Sequence, residues 1–271
     1  MTFFEHDGLR FHYRESGEGV PFVFQHGLGA DANQTFELLR PTPGFRLITL
    51  DCRGHGETRP LGPEESISIR HFTEDLRLFL DYLKIDRAVI GGISMGAEIA
   101  LNFALAHPGR ALGLILSRPA WLDESRSDNM KVFSTIAEFI RKYGAWEGAK
   151  RYQETEAYQH VLKVSPDNAN SLLSQFAHPR AEETVAKLER IPTHVPGNTR
   201  EDWKRIRVPT LVVVNRQDAI HPFEFGETLA ATIPNAALVE VTPKSINKDA
   251  HAADVQRALD DFLGKLRMRG H

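Results

Sequence analysis

Apolar and polar positions change period along the chain, and each change marks an element. Leu9 to Arg14 alternates, the two-residue period of a half-buried strand. Residues 21–25 (PFVFQ) and 45–50 (FRLITL) are more continuously apolar, as strands covered on both faces are. Phe72, Leu76, Phe79, Leu80 and Leu83 recur at helical spacing, and Thr73 followed by Glu74 and Asp75 reads as that helix's start. A strand at 88–91, a helix at 95–107 and a strand at 111–117 follow. Alternating strands and helices predict a parallel sheet with helices on both faces.

Beyond Ser117 the strand pattern stops. Val132, Ile136, Phe139, Ile140 and Tyr143 form one apolar stripe, and Val185, Leu188 and Ile191 a shorter one. Pro192, Pro196 and Gly197 are loop signals. The α/β rhythm then resumes with a strand at 210–214, a helix at 223–233, a strand at 237–241 and a helix at 254–266. The simplest reading is an α/β core of residues 1–118 and 204–271 with a helical cap, 119–203, over the sheet. The charge run Glu182, Glu183, Lys187, Glu189 and Arg190 reads as a solvated helix face. There is no internal repeat and no low-complexity tract.

Composition narrows the class. The chain has 271 residues, 41% hydrophobic and 25% charged, which is ordinary globular usage. Cys52 is the only cysteine, which excludes an intramolecular disulfide and a cysteine zinc cage, and its expected role is packing. A net charge of -3 argues against a nucleic-acid partner. The opening MTFFEHDGLRFHYRE has no apolar signal region, and no apolar run reaches membrane-span length. A soluble, cytoplasmic protein is expected, with no membrane partner.

The candidate chemistry starts at Gly92-Ile93-Ser94-Met95-Gly96, a G-x-S-x-G motif between an apolar strand and a helical run. So tight a turn leaves no room for side chains two positions either side of the serine, hence the glycines. Ser94 projects from the turn as a candidate nucleophile. The Met95 N–H, at the helix start, can meet a developing oxyanion.

On these residues the chain resembles the α/β-hydrolase superfamily, in its serine-nucleophile branch. Three further segments carry the resemblance: His26-Gly27-Leu28-Gly29 after PFVFQ, Asp51-Cys52-Arg53-Gly54-His55-Gly56 after the next strand, and VPTLVVVNRQDAIHP. The resemblance implies an eight-stranded, mostly parallel sheet flanked by helices, with the cap inserted after the sixth strand. It also implies a Leu28 N–H as second oxyanion donor and Asp218 as the triad acid, with Asp123 as a rival position. The order nucleophile, acid, histidine puts the base after the last strand, where only His251 and His271 stand. His271 ends a basic tail, so His251 is expected to be the base. His251 stands in Asp-Ala-His-Ala rather than the usual Gly-His, and a surface histidine at a helix start is the competing reading. His221, three residues from Asp218, reads as too close to serve as its partner and is the next candidate. His26 and His55 read as loop-holding residues, and His160, His178 and His194 as surface ones. Trp121 and Phe133 are candidate linings of an apolar substrate pocket.

A Ser94 hydrolase of small carboxylic esters or lactones is the reading the resemblance favours. Carbon–carbon bond hydrolysis or cofactor-free perhydrolysis on the same triad stays open, as does a non-catalytic ligand-binding member. No metal or organic cofactor is expected: there is no H-E-x-x-H, no cysteine pair and no G-x-G-x-x-G after the first strand.

Overall fold

The computed structural model describes residues 2–123 and 128–268, so His271 lies outside the described residues. The chain forms β1 (Thr2–His6), β2 (Leu9–Ser16), β3 (Val20–Gln25), α1 (Ala32–Leu38), β4 (Phe45–Leu50), α2 (Ile69–Tyr82), β5 (Ala88–Ile93), α3 (Met95–Ala106) and β6 (Ala111–Ser117). Five helices follow: α4 (Lys131–Gln153), α5 (Glu156–Val164), α6 (Pro166–Ala177), α7 (Ala186–Arg190) and α8 (Arg200–Trp203). The chain then returns to β7 (Thr210–Val214), α9 (Phe223–Thr232), β8 (Ala236–Glu240) and α10 (Lys248–Met268). All eight strands join one sheet in the order β1-β2-β4-β3-β5-β6-β7-β8. The first two pairings, β1 with β2 and β2 with β4, are antiparallel and the rest are parallel. This is the eight-stranded, mostly parallel sheet that the resemblance implies.

Alternate residues of the central strands feed two cores, one on each face of the sheet. Ala88 and Ile90 of β5 join the larger one, with α2, α3 and the helices between β6 and β7. Val89 and Ile93 join the other, under α1 and α10.

Several elements depart from the sequence pattern, and three of them have a clear local reason. β1 was not foreseen. It folds back on β2 through Asp7 and Gly8, both at positive φ (53° and 72°), the Asp-Gly hairpin turn whose twist suits paired strands. α2 starts at Ile69 because the Ser68 side chain accepts the His71 N–H; Thr73, the expected start, is interior and donates to Ile69 O. α10 starts at Lys248 rather than 254, because Asn247 Oδ1 accepts the Ala250 N–H and caps the helix early.

Among the described residues between β6 and β7 there are helices and no strand. Long cations tie this stretch to the loop after β4. Arg180 donates to Gly56 O and Thr58 O at 2.8 and 3.1 Å, and Lys187 Nζ to Gly54 O at 3.2 Å. Lys187 is only 2% exposed, which corrects its reading as part of a solvated face. A long side chain lets its ammonium find carbonyl acceptors in the junction. Burial, reinforced by the Arg180 charge, pulls its pKa down to about 7 from the ordinary 10.5.

Two outcomes are expected. A Cβ at Gly96 would stand 2.2 Å from Gln25 O and 2.6 Å from Gln25 C, both backbone atoms with nowhere to go. Gly96→Ala is therefore expected to destabilise the fold by roughly 3 kcal/mol; an unchanged denaturation midpoint would contradict that packing. Between about pH 7 and pH 10 the unfolded chain holds the Lys187 proton that the folded one has lost, so stability rises with pH there. Lys187→Met should flatten that part of the stability–pH curve, and an unaltered slope would place the titration elsewhere.

Candidate active site

β5 ends at Ile93, and α3 starts two residues on, at Met95. Ser94, between them, is held at φ 56°, ψ −114°, a conformation that a non-glycine residue adopts only when its surroundings impose it. Here they do: the Ser94 N–H donates to Ser117 O at 2.9 Å, and Gly92 and Gly96 approach so closely that a Cβ on Gly92 would lie 2.3 Å from Gly96 C. The hydroxyl thus leaves the turn at a fixed angle.

The imidazole that meets it belongs to His221. Its Nε2 lies 2.9 Å from Ser94 Oγ, and its Nδ1 lies 2.9 and 3.0 Å from the two oxygens of Asp218. Asp218 is a carboxylate and can only accept, which assigns the proton to Nδ1 and leaves Nε2 to accept the serine hydroxyl. Ser94, His221 and Asp218 are therefore in line.

The base expected at His251 is corrected. His251 sits in the first turn of α10, and its Nδ1 donates to Thr242 O at 2.8 Å. No hydrogen bond joins it to Ser94 or Asp218. His221, read from the sequence as too near Asp218, reaches it because the loop doubles back. Gln217 takes φ 57°, and Asp218 Oδ1 accepts the N–H groups of Ile220 and His221 at 3.2 and 3.0 Å. Such an Asx-type turn folds a three-residue spacing into a contact. The loop is braced from the helical stretch: Ser165 Oγ donates to Gln217 O, Asn168 Oδ1 accepts from Ala219 N, and Asn129 Nδ2 donates to Ile220 O.

Arg118, not singled out from the sequence, completes this arrangement. It directly follows β6 at φ 48° and meets Asp218 Oδ2 through Nε and Nη2, each at 2.6 Å. The available signal was its place: a charged residue at the carboxyl end of a buried parallel strand, where open α/β sheets gather ligand groups. Burial opposes ionisation of Asp218, but the Arg118 guanidinium and the His221 ring outweigh it and hold the carboxyl well below the usual carboxylate range. Burial likewise lowers the pKa of His221; Asp218 pulls it up and Arg118 pushes it down, leaving it below the ordinary histidine value. A lowered pKa favours the neutral imidazole, the form able to accept a proton.

The loop after β3 lies against the elbow. A Cβ on Gly27 would be 3.6 Å from Ser94 Cβ. His26 Nε2 accepts from Cys52 N and its Nδ1 donates to Gly27 O, while the Gly27 N–H is held by Gln34 Oε1 at 2.8 Å. Leu28, the proposed second oxyanion donor, is buried in this loop. Met95 is the first residue of α3, where an α-helix leaves N–H groups without intrahelical acceptors.

The other candidates fall out as follows. Asp123, the rival acid, pairs with Arg200 at 3.1 Å. Trp121 and Phe133 are both buried in the larger core, and the Trp121 indole N–H has no hydrogen-bond partner among the described residues. Cys52 is buried, and burial raises its thiol pKa well above normal, which suits packing and not nucleophilic attack. His194, expected at the surface, sets Nε2 3.4 Å from the buried Glu98 of α3. Among the described residues no cluster of three or more His, Cys, Asp or Glu could hold a metal ion, and no helix is long and apolar enough to cross a membrane.

Comparison with known proteins places this geometry. The chain is 27% identical over 290 residues to a proline iminopeptidase of Neisseria gonorrhoeae, with 95% of this chain and 94% of that protein covered. It is 29% identical over 245 residues to a 2-hydroxy-6-oxononadienedioate/2-hydroxy-6-oxononatrienedioate hydrolase of Pseudomonas putida, covering 85% and 82%. Its structure matches that of an enol-lactonase from Burkholderia xenovorans LB400 with a TM-score of 0.73 and 26% identity, over 97% of this chain and all of that one. The sequence model of the alpha/beta hydrolase fold family matches residues 20–253, and the chain belongs to that family.

Proposed function

We propose that the protein is a serine hydrolase that cleaves a small carboxylic ester or lactone through an acyl-enzyme on Ser94. The observation that carries this reading is the unbroken line from Ser94 Oγ through His221 to Asp218. In this mechanism Ser94 Oγ attacks the acyl carbon as His221 Nε2 takes its proton. The N–H groups of Leu28 and Met95 hold the oxyanion. The imidazolium, steadied by Asp218, passes the proton to the departing alkoxide. Water then enters by the same base, and the acid leaves. Residues 119–203 act as the cap, and Trp121 and Phe133, which belong to it, are its apolar side toward the substrate. The enol-lactonase likeness supports the choice of ester or lactone.

Carbon–carbon bond hydrolysis on the same residues is the second reading, favoured by the Pseudomonas putida relative. Cleavage of a coloured dienol acid, absent with Ser94→Ala, would select it. The ligand-binding reading rested on the context of His251 and loses its ground with His221 at Ser94.

Turnover of p-nitrophenyl acetate is expected to fall on the order of 10⁴-fold or more in Ser94→Ala, with the melting temperature retained. His221→Ala should cost a similar factor, because nucleophile and base act as a unit, whereas His251→Ala should cost less than about tenfold. The reverse order for the two histidines would return the base to His251. The acidic limb of kcat/KM should lie below the ordinary histidine pKa, since the base must be neutral and burial lowers it. Arg118→Met removes a charge that depresses His221, so the limb should move to higher pH; movement to lower pH would contradict that coupling. EDTA should leave the rate unchanged, and a metal-restored loss would exclude the metal-free mechanism.

A further inference from the structure

Where β8 gives way to α10 there is a cavity of about 390 Å³, within the size range of small-ligand sites. It shares a wall with the catalytic elbow: Ile93, the residue before Ser94, lines it, and so does Gln34, which holds the Gly27 N–H. Its charged lining is lopsided, with Arg118, Lys244 and Lys248 against Glu37. Asp218 uses only Nε and Nη2 of Arg118, which leaves Nη1 as a donor. Lys244 Nζ is 2.9 Å from Asp167, while Lys248 has no ion-pair partner among the described residues. His251 also lines the cavity and is only 4% exposed. Its Nδ1 is committed to Thr242 O, and its Nε2 has no protein partner among the described residues. The first turn of α10 adds the positive end of a 21-residue helix.

We propose that this cavity is an anion site that takes a small carboxylate, held by Lys248, Lys244 and the Nη1 edge of Arg118. Arg118 and Lys244 already meet Asp218 and Asp167, so Lys248 is the cation that an anion here would compensate, with the other two as further donors. The anion also gives His251 a role that the triad does not. Burial, with the charges of Arg118 and Lys244, lowers the pKa of the ring, while its hydrogen bond to Thr242 O and the charge of Asp167 act in the opposite sense. Lys248, Asp249 and Asp254 stand on its own helix, the last bonded to Thr242, and Glu37 of α1 lines the same cavity. A carboxylate beside Nε2 favours the imidazolium, which then donates Nε2–H to it, so binding draws a proton onto His251.

The test is a calorimetric titration of Ser94→Ala protein with sodium acetate at fixed ionic strength, with acetamide as the neutral control. Using the Ser94 variant keeps the result readable whatever the protein hydrolyses. Acetate should bind with uptake of a proton, and acetamide should not bind. Lys248→Glu reverses an exposed charge at a helix start where an acid is well tolerated, and should weaken acetate about tenfold. The source of the carboxylate is read from wild-type kinetics with p-nitrophenyl acetate and its glutarate half-ester. If Lys248→Glu lowers kcat/KM for the charged ester alone, the carboxylate arrives on the substrate. If both esters are unaffected while acetate binding weakens, it is a free acid. Absence of acetate binding, or equal affinity in Lys248→Glu, overturns the proposal.

Discussion

The site is organised by one buried anion. The Asp218 side chain is about 1% exposed, and a carboxylate so placed is tolerable only when donors replace the water it has lost. The donors are Arg118 on one oxygen, the Ile220 and His221 backbone on the other, and the His221 ring across both. Each bond also fixes part of the geometry of the site. The backbone bonds bend the loop back, the ring bond sets the tautomer and direction of His221, and the Arg118 bonds join the ends of β6 and β7. Removal of one donor would do more than subtract a contact, because the others hold a charge that is then under-compensated.

Strain is distributed to match. Ser94 and Arg118 follow neighbouring parallel strands, and both sit at positive φ without being glycine. Each is held by its surroundings: Ser94 by the backbone bond to Ser117 and the flanking glycines, Arg118 by its N–H to Val213 O and by Asp218. The helices between β6 and β7 brace the same region from outside through Asn129, Ser165 and Asn168. Those helices therefore help to set the shape of the Asp218–His221 loop.

Much of this was legible in the chain. The apolar runs gave the parallel strands because a strand covered on both faces has no polar positions to show. The G-x-S-x-G motif gave the elbow because its glycines answer to a backbone collision that no other residue avoids. Local hydrogen-bonding chemistry was harder to read. Asn247 starts α10 early and so lifts His251 out of the loop where a base was expected. The Asx-type turn at Asp218 makes three residues a contact distance, although spacing alone argues against it. Arg118 and Lys187 were missed or misread because the burial of a long cation depends on acceptors far away in sequence.

The position of the base has a structural consequence. With Asp218 and His221 on one tightly turned loop, their mutual geometry is local and does not depend on how the chain passes from β8 into α10. That passage is tied down independently, by Asp254 on Thr242 and by His251 on Thr242 O. It presents no imidazole to Ser94 and carries Lys244 and Lys248 along the cavity instead. Arg118 belongs to both arrangements: two of its nitrogens meet Asp218, and the residue lines the cavity. A charge placed in that cavity acts on the guanidinium that already depresses the His221 pKa, so the cavity and the catalytic line share one residue.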